Sequence, residues 1–86
     1  MVSSCKNSVK AFCANLVLHD RAIGDYQEFN KDLHKFRHLG EQYSEDNLKE
    51  VIDDLKKNGV LTLFDLNGLW HYRVRISDSD LESVLA

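Results

Sequence analysis

The sequence predicts an α+β fold: three helices, then a two-stranded β-hairpin, then a short C-terminal segment. Three observations carry this. Apolar residues recur at spacings of three and four through the first two-thirds of the chain. Cap and stop residues, Asp25, Ser44 and Asn58-Gly59, punctuate those stretches. Asn67-Gly68 then separates two strand-like runs. At 86 residues the chain is read as a single domain, 1–86, which excludes a two-domain enzyme with a large cleft. Its 43% hydrophobic and 29% charged residues fit a folded chain and exclude a disordered tail.

The first helix is expected over Ser8–Ala22, with Val9, Phe12, Cys13, Leu16 and Val17 on one face. Ile23 would close that face and Gly24 would stop the helix. The second opens on Asp25-Tyr26-Gln27-Glu28, where Asp25 can cap the free N–H groups and Glu28 can reach back. Tyr26, Phe29, Leu33 and Phe36 form its stripe, and Leu39-Gly40 ends it. The third starts at Ser44, an N-cap, with Glu45 and Asp46 in the first turn, where the helix dipole favours negative charge. It buries Leu48, Val51, Ile52 and Leu55, carries Lys56 and Lys57 in its last turn, and stops at Asn58-Gly59.

A two-residue Asn-Gly turn fixes the hairpin register: Leu66 opposite Leu69, Phe64 opposite His71, Leu63 opposite Tyr72, Thr62 opposite Arg73, Leu61 opposite Val74. Alternation then places Leu61, Leu63, Trp70, Tyr72 and Val74 on the core face. Phe64, Leu66, Leu69, His71, Arg73 and Arg75 share the other. Ser79-Asp80-Leu81-Glu82 offers a last cap, and Leu81, Val84 and Leu85 could make a terminal helix that folds back over that second face.

Cys5 and Cys13 are too few for a disulfide scaffold. Eight residues apart on one helix they lie about 12 Å apart, beyond disulfide reach, so they are read as free thiols. The first residues lack the apolar run of a signal peptide, and no stretch is long and apolar enough to span a membrane. The expectation is a cytoplasmic protein without a membrane partner.

The stretch from Ser44 to Ile76 resembles the signature of MarR-like and ArsR-like regulators, within the winged helix-turn-helix superfamily. Its carriers are the capped third helix, Leu55-Lys56-Lys57-Asn58-Gly59-Val60-Leu61, and the aromatic return strand Trp70-His71-Tyr72-Arg73-Val74. The resemblance implies a winged-helix-like fold in which the hairpin is the wing. In DNA-binding members the third helix enters the major groove. Its exposed positions here are Glu45, Asp46, Lys49, Glu50 and Asp53, four of them acidic and so repelled by phosphate. The tip, Asp65-Leu66-Asn67-Gly68-Leu69, lacks the Arg or Lys such members often carry. Residues 1–40 hold six Lys/Arg against four Asp/Glu, and residues 41–86 hold five against ten, so the half expected to read DNA is the acidic one.

The leading expectation is therefore a non-enzymatic protein-binding module that needs no cofactor. It would dock through Glu45, Asp46, Glu50 and Asp53 with Phe64, Leu66 and Leu69, onto a basic surface of nucleic-acid-handling machinery, as an inhibitor, a viral accessory protein or an ordinary subunit would. Self-association into a homodimer through the apolar wing is a further arrangement. The alternative is a dimeric DNA-binding regulator using Lys31, Lys35, Arg37, Lys49, Arg73 and Arg75. His34 and His38, four apart, have a spacing that can share a metal, but are read as surface histidines, with no metal site expected. Cys13 with His19 could imitate a nucleophile and its base, but Cys13 falls on the apolar stripe.

Overall fold

The computed structural model describes residues 2–85. The chain forms α1 (Val2–Leu18), β1 (Ile23–Asp25), α2 (Tyr26–Lys35), a 3₁₀ turn (Phe36–His38), α3 (Leu39–Gln42), α4 (Glu45–Lys57), β2 (Leu61–Leu66), β3 (Leu69–Val74) and α5 (Asp78–Leu85). The architecture is α+β, with an antiparallel sheet of order β1-β3-β2.

The expected two-stranded sheet has a third strand. β1 pairs with β3, Ile23 opposite Arg73, Gly24 opposite Tyr72 and Asp25 opposite His71. Three residues are too few to show an alternation, so β1 leaves no periodic signal. Gly24 marks a close approach instead of a helix stop: a Cβ there would meet three Tyr72 ring atoms at 3.1–3.3 Å. The Tyr72 hydroxyl donates to the Arg21 carbonyl at 2.5 Å, tying β3 to the segment before β1.

The helix bounds also shift. α1 starts at Val2 and ends at Leu18, where Asp20 turns to a φ of 56° and the Arg21 N–H returns to the Leu16 carbonyl at 2.8 Å. Ile23, expected on its apolar face, is 62% exposed on β1. Asp25 caps α2 as expected, accepting from the N–H groups of Gln27 (2.7 Å) and Glu28 (3.2 Å). α2 stops at Lys35, short of the expected Leu39-Gly40. Arg37 and His38 follow with φ of 48° and 59°, both left-handed, and the reversal drives Leu39 of α3 into the core. Neither residue is a glycine or asparagine, so composition hides the kink.

The third predicted helix is α4. Ser44 caps it through the Asn47 N–H at 3.2 Å, and Gly59 follows its C-terminus at a φ of 77°. The hairpin register agrees with expectation pair by pair. Asn67 and Gly68, at φ of 55° and 84°, supply the type I′ turn, and Asp65 accepts from the Gly68 N–H at 2.8 Å.

Four apolar faces converge on one core: Val9, Phe12, Cys13 and Leu16 of α1; Phe29 and Leu33 of α2; Leu48, Val51, Ile52 and Leu55 of α4; Leu61, Tyr72 and Val74 of the sheet. Phe29 is its aromatic centre, 4.8 Å from the Tyr72 ring and 5.2 Å from that of Phe12. Trp70, expected to be buried with that face, is 56% exposed. It shares the inner face of the sheet with Tyr72, but it stands opposite Asp65 near the hairpin tip, where burial ends. α5 packs along α1, and Ser77 caps it through the Asp80 N–H at 3.2 Å, in place of Ser79. The side chains of Val84 and Leu85, expected to pack from this helix, lie outside the described residues. Among the described residues no helix is long and apolar enough to cross a membrane.

Candidate functional site

The core-facing stripe of α4 leaves its opposite side to solvent, and Glu45, Asp46, Lys49, Glu50 and Asp53 are all exposed there. At about 100° per residue, Glu45, Asp46, Lys49, Asp53 and Lys56 lean toward α2, while Glu50, Asp54 and Lys57 lean the other way. The two flanks border different hollows. The first, about 460 Å³, lies between α2 and α4 and reaches Leu63 of β2. The second runs along Glu50, Asp53, Asp54 and Lys57 to Lys6 of α1. Lys6 pairs with Asp54 at 2.7 Å, and Lys56 with Asp53 at 3.5 Å. Among the described residues Glu45, Asp46 and Glu50 have no such basic partner within 4.0 Å, so α4 presents net negative charge.

The hairpin residues divide between the two faces of the sheet. Phe64, Leu66 and Leu69 lie on the outer face, turned away from the core against which α4 packs. Phe64 is half-buried under the His71 ring, 5.7 Å away, while Leu66 and Leu69 are 51% and 56% exposed. Among the described residues α5 packs along α1, and both leucines stay exposed. Trp70 and Leu63 lie on the inner face, on the same side of the sheet as α4. They border a hollow of about 540 Å³ with Tyr26, Lys56, Leu61 and Thr62. Tyr26, Lys56 and Leu63 belong to both this hollow and the α2–α4 groove, so the two are continuous. Burial raises the Tyr26 hydroxyl pKa, and the charge of Asp53, which lines the same groove, adds to it. Sequence reading left Tyr26 and Trp70 out of the candidate surface because both fall on stripes that point to the core.

The basic residues sit elsewhere. Lys31 and Lys35 are exposed on the side of α2 away from the groove, to which that helix contributes Tyr26, Asn30, Leu33 and His34. Lys35 borders a hollow with His19 and Arg21 near the end of α1. Arg37 is exposed at the kink, its guanidinium 5.0 Å from the Phe36 ring centre. Arg75 is exposed beyond β3; Arg73 is half-buried on the outer face, its Nε without a hydrogen-bond partner. Lys49 stands among the α4 carboxylates. These six bases therefore form no single stripe.

His34 and His38 do not share a helix, because α2 ends between them. The His34 Nδ1 lies 2.7 Å from the Asn30 carbonyl, and that of His38 lies 3.7 Å from Glu41. Among the described residues no three His, Cys, Asp or Glu side chains gather as metal ligands would. Cys5 and Cys13 are free and buried. Burial pushes the Cys13 thiol up to about 12, which suppresses the thiolate a nucleophile needs.

No family model, curated protein or solved structure was found to match this chain. A functional reading therefore rests on the geometry above.

Proposed function

We propose that this chain is a winged-helix-like, non-enzymatic protein-binding module, with α4 in the position of a recognition helix and β2–β3 as the wing. The capped helix α4 followed directly by the hairpin β2–β3 supports the fold, with β1 and α3 additional to the expected order. The observation that carries the function is the exposed acidic face of α4, Glu45, Asp46, Glu50 and Asp53, beside a hairpin with apolar side chains exposed on both faces. Phosphate repels such a helix, whereas a basic protein surface complements it.

The test is a fluorescence titration against mixed-sequence duplex DNA at low salt, with the oligomeric mass recorded alongside. The expected outcome is no saturable binding. Binding that fades with added salt and is lost when Lys31, Lys35 and Arg75 become Gln would overturn the reading in favour of a DNA-binding regulator.

A further inference from the structure

We infer that the continuous groove between α2, α4 and the inner face of the hairpin is the docking site, and that its occupant is a short segment of another protein with a bulky apolar side chain at one end and Lys or Arg at the other. This rests on the protein-binding reading and names its partner chemistry.

The groove is chemically polar along its length. One end carries Glu45 and Asp46, both exposed and at the start of α4. The other is the notch where the exposed Trp70 faces Tyr26 and Leu63 beside Lys56. Lys56 is already engaged by Asp53 at 3.5 Å, which leaves Glu45 and Asp46 against Lys49, so the open charge of the groove is net negative toward the start of α4. From Glu45 to Lys56 the helix rises about 16 Å. An extended chain covers that span in about five residues, a helical one in about eleven. An aromatic or branched aliphatic side chain entering the notch would cover Trp70. Cations of the same segment would meet Glu45 and Asp46, which among the described residues have no basic partner within 4.0 Å and outnumber Lys49, the base one turn further along the groove.

Trp70 is the sole tryptophan, so its emission reports occupancy of the notch directly. The probe is a synthetic peptide of about twelve residues, long enough to span the groove as a helix, with Phe and Leu near one end and Lys and Arg near the other. A matched peptide carries Glu in place of the basic residues. The basic peptide is expected to shift Trp70 emission saturably to the blue, and the acidic one to leave it unchanged.

Glu45→Gln with Asp46→Asn should weaken binding about three- to tenfold, as expected for two exposed ion pairs. Trp70→Ala, followed by anisotropy of a dye-labelled peptide, should weaken it tenfold or more, as for an aromatic anchor. Asp78→Lys with Glu82→Lys on α5 alters charge away from the groove and should leave the affinity within about twofold at physiological salt. Circular dichroism on each variant separates lost binding from lost fold.

Equal response to both peptides, no response to either up to millimolar concentration, or insensitivity to the groove variants would overturn the inference. Binding lost with Leu66→Asp but kept by the groove variants would move docking to the outer face; the protein-binding reading would then survive without this groove. Duplex DNA binding without peptide binding would remove both.

Discussion

Gly24→Ala tests the strand that sequence reading did not anticipate. Gly24 faces Tyr72 across the β1–β3 ladder, and an added Cβ would meet Cε1, the hydroxyl and Cζ of that ring at 3.1, 3.2 and 3.3 Å. The ring cannot retreat freely. Tyr72 is 5% exposed, packs 4.8 Å from the Phe29 ring and holds the Arg21 carbonyl. Overpacking of this kind costs about 1–3 kcal/mol. The backbone at Gly24 is not left-handed, so alanine also removes unfolded-state entropy, which offsets roughly 0.5 kcal/mol. The net expectation is destabilisation of about 0.5–2.5 kcal/mol, or a Tm lower by about 2–20 °C for a domain of this size. Urea unfolding followed by far-ultraviolet circular dichroism measures it. Tyr72→Phe frees the ring from Arg21, so the double variant should cost less than the sum of the singles by about 0.5–1 kcal/mol. A Gly24→Ala protein as stable as the parent would refute the close approach and the pairing of β1.

Other outcomes follow from single features. Leu55 is 0% exposed at the centre of the α4 face, so Leu55→Ala should cost about 2–5 kcal/mol in the same urea assay. Gly68→Ala, at a φ of 84°, should cost about 1 kcal/mol and broaden hairpin resonances without disturbing helical dichroism. Cys13 should resist a thiol reagent at pH 8 in the native protein and react once urea unfolds it. The Lys6 hydrogen bond to Asp54 holds that carboxyl below its ordinary value. Its contribution to stability is therefore present above pH of about 4 and is lost as pH falls through the lowered value. Lys6→Gln should return the Asp54 titration, followed by NMR, toward the ordinary range.

The elements that sequence reading found are those whose ends carry their own chemistry. Ser44 and Asn58-Gly59 bracket α4, and Asn67-Gly68 sets every pair of the hairpin register. β1 escaped because it has three residues and runs straight into the cap of α2. The kink escaped because Arg37 and His38 adopt left-handed backbone without the residues that usually mark it. Trp70 was misplaced for a different reason. Alternation assigns a side chain to a face of the sheet, but burial also needs something opposite that face, and at the hairpin tip nothing covers it. The same omission hid the groove: the acids of α4 were legible, while their apolar neighbours Tyr26 and Trp70 were read as core.

Asp25 holds two positions at once. It is the last residue of β1, opposite His71, and the N-cap of α2 through Gln27 and Glu28. Peeling β1 from β3 therefore also loosens the first turn of α2, where Tyr26 forms one wall of the notch. The hairpin closes across two residues, whereas β1 must return to β3 from half the chain away, so folding should complete the sheet and the α2 start in one late, cooperative step. Amide hydrogen exchange would then show residues 23–28 opening together, ahead of α4. A segment seated against Tyr26 would slow that exchange at residues it never touches.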